Sequence, residues 1–286
     1  MSQGHAVAND EHLPEEHFAM SGEGARVCYE ISGSGAPVLL VGGGGSTSMS
    51  FANLAPLLSD YFTVVNYDRR GTLRSTGEVS LTRYIEQQAD DIVAVLDHAG
   101  LAAVTVFATC GGTSIAFDLL TRFPDRVQGM IAHEPLTASV LPDAPEVYEY
   151  YSGWVRKARE IGPLAARAQF HELHRIPYNV ASRAQPVERA AFIFAHEVRP
   201  MVEYVPDLRS IRNSGSAFVV GVSRENIGSS FAFARTPGCY AKELDAELVV
   251  FPGYHAGYFE NPESFAEVLV PSLQKVVSLS GAHSRP

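Results

Sequence analysis

Residues 106–116 read Val106-Phe107-Ala108-Thr109-Cys110-Gly111-Gly112-Thr113-Ser114-Ile115-Ala116, an apolar strand pattern that runs without a linker into a helix pattern. One nucleophilic side chain, Cys110, stands at the junction, and Ala108 and Gly112 flank it two positions away on either side. This small-x-nucleophile-x-small spacing is what a sharp strand-to-helix turn demands. The two backbones nearly touch there, so a larger neighbour would collide, and the residue at the apex is driven into a strained conformation. The segment therefore implies an α/β fold with a reactive side chain raised above one strand.

The flanking sequence supplies such a sheet. Short apolar runs at 37–41, 62–67, 104–107, 127–132, 217–220 and 248–251 read as buried, mainly parallel strands. Between them Ile85, Ala89, Ile92, Val93 and Leu96 place one apolar stripe on a helix that Gly100 closes. Alternation of this kind folds into an open sheet covered on both faces, and ligands bind beyond the carboxyl ends of its strands. From about 137 to 210 the alternation gives way to proline-punctuated helical patterns, such as 147–161 and 187–198. We expect a helical cap over 137–210, a core over 17–136 and 211–286, and a loose polar arm over 1–16. Aromatic residues of the cap, Tyr151, Trp154, Phe170 and Tyr178 among them, are candidates either for lining an apolar substrate cavity or for packing the cap.

Composition narrows the function classes. The 286 residues are 46% hydrophobic, enough for a sizeable core. With 22 basic and 32 acidic residues the net charge of −10 argues against nucleic acid or an anionic membrane as partner. The sequence has no apolar run of about 20 residues and no signal-peptide pattern, which suggests a cytoplasmic location. Three widely spaced cysteines make neither a disulfide framework nor a zinc pattern, and Cys28 and Cys239 read as small buried hydrophobes. His171-x-x-His174 lacks the carboxylate or cysteine cluster of a metal site. No cofactor is expected.

Five signatures then follow in order: Val41-Gly42-Gly43-Gly44-Gly45; Tyr67-Asp68-Arg69-Arg70-Gly71 with Ser75; the elbow at Cys110; Arg122-Phe123-Pro124-Asp125-Arg126-Val127; and Phe251-Pro252-Gly253-Tyr254-His255-Ala256-Gly257. In these the chain resembles the α/β-hydrolase family from about residue 17 to 276. The resemblance implies an α/β-hydrolase fold, a mostly parallel eight-stranded sheet with helices on both faces and a helical cap, and a catalytic triad with an oxyanion hole. The family usually carries serine where this chain has Cys110. A thiol at a helix N-terminus beside an imidazole is a competent nucleophile; the other reading is a small buried residue in an inactive protein.

His255 lies where the family's catalytic histidine does. For the acid two carboxylates compete, and the resemblance favours Glu134 over Glu225. Glu225, in Val222-Ser223-Arg224-Glu225, follows the strand that usually carries it, and Glu134, in His133-Glu134-Pro135, resembles the acid position of the zearalenone-lactonase-like branch. Gly111 supplies one oxyanion donor by the geometry of the elbow. Matching the glycine run to the family's His-Gly-x-Pro stretch points to Gly44 for the other, with Gly43 the one-residue alternative. The run lacks the Lys-Ser/Thr of a phosphate loop. Asp68, Arg69 and Arg70 read as a structural turn without chemistry, and His133 as a packing or capping residue.

The reaction this implies is hydrolysis or acyl transfer on a small, largely apolar ester, thioester or lactone, through an acyl-enzyme on Cys110. Two other classes fit the same residues. One is a cyclase, lyase or epimerase in which His255 and Glu134 move protons and Cys110 only lines the pocket; the other is a non-catalytic ligand-binding protein, possible on a reused scaffold. A homodimer is compatible with either.

Overall fold

The computed structural model describes residues 15–176 and 186–283. Eight strands form one sheet: β1 (Glu16–Met20), β2 (Arg26–Ser32), β3 (Pro37–Val41), β4 (Thr63–Tyr67), β5 (Val104–Thr109), β6 (Val127–His133), β7 (Ala217–Ser223) and β8 (Glu247–Phe251). Their spatial order is β1-β2-β4-β3-β5-β6-β7-β8. β3 to β8 run parallel, while β1 and β2 form an antiparallel extension that joins the sheet through β4. All six residues of β5 are buried, as a central strand covered on both faces requires.

The helices, in chain order, are α1 (Leu54–Ser59), α2 (Tyr84–His98), α3 (Gly112–Arg122), α4 (Ala144–Ile161), α5 (Pro163–Leu173), α6 (Pro186–Phe192), α7 (Val198–Glu203), α8 (Leu208–Asn213), α9 (Ala232–Leu244), α10 (Gly257–Glu260) and α11 (Pro262–His283). Leu39, Val65 and Val106 pack on one face of the sheet with residues of α2, α3 and α9. Leu40, Val64 and Phe107 pack on the other with residues of α1 and α11. Of the stripe read on α2, Ile85, Ala89, Ile92 and Leu96 are buried and Val93 is half-buried, and Gly100 follows that helix at φ 68°. Below the turn after β4, Arg70 and Asp91 of α2 form a buried two-pronged pair at 2.5 and 2.9 Å, which ties that turn to the helix layer.

Two boundaries differ from the sequence reading. Glu16, assigned to the arm, begins β1, and the rest of that arm up to residue 14 lies outside the described residues, as does Tyr178. The end assigned to the cap, residue 210, falls inside α8, which packs against α3 and α9 of the sheet layer. Helices α4 to α7 form the insertion between β6 and β7. Within it Trp154 and Phe170 pack edge to face at 5.3 Å, and His174 stacks on Phe170 at 4.0 Å. His174 Nδ1 is 2.7 Å from the Phe170 carbonyl and Nε2 is 3.0 Å from the Tyr150 hydroxyl, so the histidine of the x-x motif cements two helices. Among the described residues no helix is long and apolar enough to cross a membrane.

The elbow imposes the tightest packing. Val41 at the end of β3 pairs with Ala108, so the first turn of α3 passes directly over the β3 backbone. A Cβ on Gly112 would lie 2.5 Å from the carbonyl oxygens of both Val41 and Gly42. Gly112→Val is therefore expected to lower stability by roughly 2–4 kcal/mol. Gly238→Ala on α9, where a Cβ meets nothing within 4 Å, is expected to be neutral or stabilising by up to about 1 kcal/mol. Thermal melts of the two variants check this, and equal melting temperatures would contradict it.

Candidate active site

The carboxyl ends of β3, β5, β6, β7 and β8 meet at one place, and each contributes to a common cavity or to the groups behind it. Cys110, at the end of β5, has φ of 54°, a left-handed conformation that a non-glycine residue adopts only when its surroundings enforce it. Those surroundings are hydrogen bonds: the Cys110 N–H donates to the His133 carbonyl at 3.0 Å, and its carbonyl accepts from the N–H groups of Thr113 and Leu136 and from the Thr113 hydroxyl.

Glu134, directly after β6, is the second strained residue, with φ of 44° and a fully buried carboxylate. His255, 4% exposed, donates from Nδ1 to Glu134 Oε2 at 2.5 Å. The other lone pairs of the carboxylate are taken by the Asn226 amide, 3.0 Å from each oxygen, and by the Ser223 N–H at 2.9 Å. Burial pushes the Glu134 carboxyl up, but the hydrogen bond and charge of His255, with the hydrogen bond from Asn226, hold it below the ordinary carboxylate range. Glu225, the other acid weighed, lies exposed on the short turn Arg224–Asn226. The strand end that could have carried the acid instead carries Asn226, which buttresses the acid from β6.

For His255, burial disfavours the charged ring. Electrostatic coupling to the neighbouring Cys110, together with the hydrogen bond and charge of Glu134, outweighs that and raises its pKa to about 10. Phe233 covers one side of the ring at a centroid distance of 4.0 Å. His133 is different: it is fully buried, 3.1 Å from both the Thr109 and Ser223 hydroxyls, and burial pushes it down to about 4, so it stays neutral and joins the ends of β5, β6 and β7.

The glycine run lies against the elbow. A Cβ on Gly43 would sit 2.5 Å from Cys110 Cβ, so only glycine lets the β3 loop approach this closely. The N–H groups of Gly44 and Gly111 have no hydrogen-bond partner among the described residues. Met201 of α7 packs over both glycines.

Several contributors were not singled out in the sequence. They are Asn226, Glu197, Met201 and Tyr258, while Arg69, read as structural, reaches the glycine run. Arg69 donates to the Gly42 and Gly43 carbonyls at 2.6 and 2.9 Å. No motif marks Asn226, Glu197, Met201 or Tyr258, because each acts through a contact distant in sequence, and the motif that holds Arg69 does not show what it reaches.

The cavity encloses about 890 Å³ of empty space including its opening to solvent. Cys110, His255 and the glycine run form its floor, and Tyr151, Phe170, Phe194 and Val198 of the insertion form much of its walls. None of the described lining residues is acidic, and Arg167 brings a positive charge.

Residues 36–188 match the family described as alpha/beta hydrolase fold. The chain is 28% identical over 263 residues to a protein named uncharacterized hydrolase YraK from Bacillus subtilis (strain 168), covering 88% of this chain and 94% of that one. It is 25% identical over 262 residues to the zearalenone hydrolase of Bionectria ochroleuca, covering 86% and 93%. Among solved structures, a thermophilic esterase from Thermogutta terrifontis superposes with a TM-score of 0.71 at 21% identity, covering 92% of this chain and 99% of that one, a likeness of fold.

The raised pKa of His255 gives a direct test. The wild-type ring is expected to remain an imidazolium up to about pH 10. Cys110→Ala, which removes the foremost of the groups that raise it, is expected to titrate lower. NMR titration of labelled histidine rings measures both. Titration at the ordinary 6.5 in both proteins would contradict the electrostatic description.

Proposed function

The chain belongs to the alpha/beta hydrolase fold family and is an enzyme of its hydrolase type, and on that premise we propose that it cleaves or transfers the acyl group of a small, largely apolar ester, thioester or lactone through Cys110. The observation that carries this reading is the 2.5 Å bond from His255 Nδ1 to Glu134, in a site whose strained apex presents Cys110 to the same cavity.

In the proposed cycle His255, protonated in the resting site, already holds the Cys110 proton at Nε2, while Glu134 accepts Nδ1–H and so fixes the orientation of the ring. The sulfur attacks the substrate carbonyl carbon, and the oxyanion that forms is held by the N–H groups of Gly44 and Gly111. As the tetrahedral species collapses, the bond to the leaving heteroatom breaks and His255 returns its proton to that atom. A thioester acyl-enzyme remains. Water or another nucleophile, deprotonated by His255, then attacks the thioester, and Cys110 leaves while His255 keeps the proton, which restores the resting pair.

A sulfur in place of the usual oxygen bears on the second half of the cycle. A thioester reacts more readily with amines, thiols and carbanions, relative to water, than an oxygen ester does, so transfer and cyclisation stand beside hydrolysis as outcomes. The aromatic walls of the cavity favour an apolar acyl group. The likeness to a zearalenone hydrolase supports a lactone among the candidate substrates.

Intact-mass measurement with p-nitrophenyl butyrate and a butyryl thioester tests the proposal. The wild type is expected to gain one acyl group on Cys110, and Cys110→Ala to gain none and to lose about 10³-fold or more in turnover. A wild type that never gains the adduct, with Cys110→Ala turning over equally fast, would rule out covalent catalysis.

A further inference from the structure

Four successive glycines make a poor oxyanion donor on their own, because a run without Cβ atoms has no preferred backbone conformation. Something outside the run has to aim the Gly44 N–H. The helical insertion reaches in to do so. Glu197 ends a π-helical turn, Ile193–Glu197, that joins α6 to α7, and its carboxylate is fully buried. Turns of this wider kind are rare and recur at functional positions.

Glu197 Oε2 accepts the Gly45 N–H at 2.6 Å, and Oε1 accepts Arg69 Nη2 at 2.7 Å and the Tyr84 hydroxyl at 3.1 Å. The same Arg69 nitrogen donates to the Gly43 carbonyl, and Nη1 donates to that of Gly42. A peptide unit is planar with its C=O and N–H pointing in opposite directions. Arg69 on the Gly43 oxygen therefore turns the Gly44 N–H away from itself and polarises that amide as a donor. Glu197 on the Gly45 N–H fixes the next peptide plane. The two planes that meet at Gly44 are thus both held, one by each partner of a buried ion pair. The pair is mutually dependent, since either charge alone would be costly to bury. Arg69, with Arg189 beside it, keeps Glu197 ionised despite its burial.

We infer that Glu197, with Arg69, is a positioning residue that aims the Gly44 N–H at the oxyanion, so that the oxyanion site is complete only with the insertion seated on the glycine run. This rests on the acyl-transfer reading above. A purely electrostatic role would have the opposite sign, because a carboxylate beside a developing oxyanion opposes it and its removal would speed the reaction.

The test compares two reactions of Cys110. Acylation by p-nitrophenyl butyrate passes through an oxyanion, and alkylation by iodoacetamide does not. Glu197→Gln is expected to slow acylation about 10- to 100-fold with KM little changed, and to leave the alkylation rate at the wild-type value. Tyr84→Phe, a milder change that keeps the ion pair, is expected to slow acylation about 2- to 10-fold, also without effect on alkylation. Acylation at the wild-type rate or faster in both variants would overturn the inference, as would equal slowing of acylation and alkylation, which would assign Glu197 to the fold alone. A wild type that is alkylated but never acylated would overturn the acyl-transfer reading and this inference together.

Discussion

The hydrogen bond between His255 Nδ1 and Glu134 Oε2 joins two buried groups 121 residues apart, and the surrounding strand ends are organised to keep it. A carboxylate withdrawn from water is tolerated only when it is paired and its remaining lone pairs are filled. Here Asn226 and the Ser223 N–H fill them from β7, while His255 pairs with it from the loop after β8. Glu134 itself must leave β6 at a positive φ to face that loop. A strained backbone of this kind persists because the hydrogen bonds around it over-determine it. His133 stays neutral beside the pair and brings no competing charge.

The parallel sheet accounts for how residues so distant in sequence assemble. Successive parallel strands deliver their carboxyl ends to one edge, and the loops that follow β3, β5, β6, β7 and β8 supply the glycine run, Cys110, Glu134, Asn226 and His255 in that order. The elbow then fixes the height of Cys110 above the sheet, with Gly112 pressed on the β3 backbone and Gly43 against the cysteine itself. The insertion closes over this edge with aromatic walls, and through Glu197 it also reaches the backbone beneath.

What the sequence makes legible follows a physical line. Steric rules that act within a few residues can be read directly: the elbow glycines, the apolar strands, the stripe on α2 and its closing Gly100. The β1–β2 extension escapes such reading because β1 is only partly buried and its residues, Glu16 to Met20, show no apolar run. The preference for Glu134 over Glu225 rests in the sequence on the resemblance, since both follow strands whose ends converge; Asn226, the donor that faces Glu134 while Glu225 lies in solvent, carries no mark of that contact in the sequence. Glu197 is further from reach, because its bond to the Gly45 N–H spans 152 residues and leaves no local pattern around Glu197.

If Cys110, His255 and Glu134 act as one chemical unit, their losses on substitution must overlap. The most direct measurement is turnover of an activated ester by Cys110→Ala, by Glu134→Gln and by the double variant, set out as a cycle. A unit requires that Glu134→Gln be strongly impaired alone but cost almost nothing further once Cys110 is gone. Losses that multiply in the double variant would mean that the acid and the sulfur work independently, and the account of the site would be wrong.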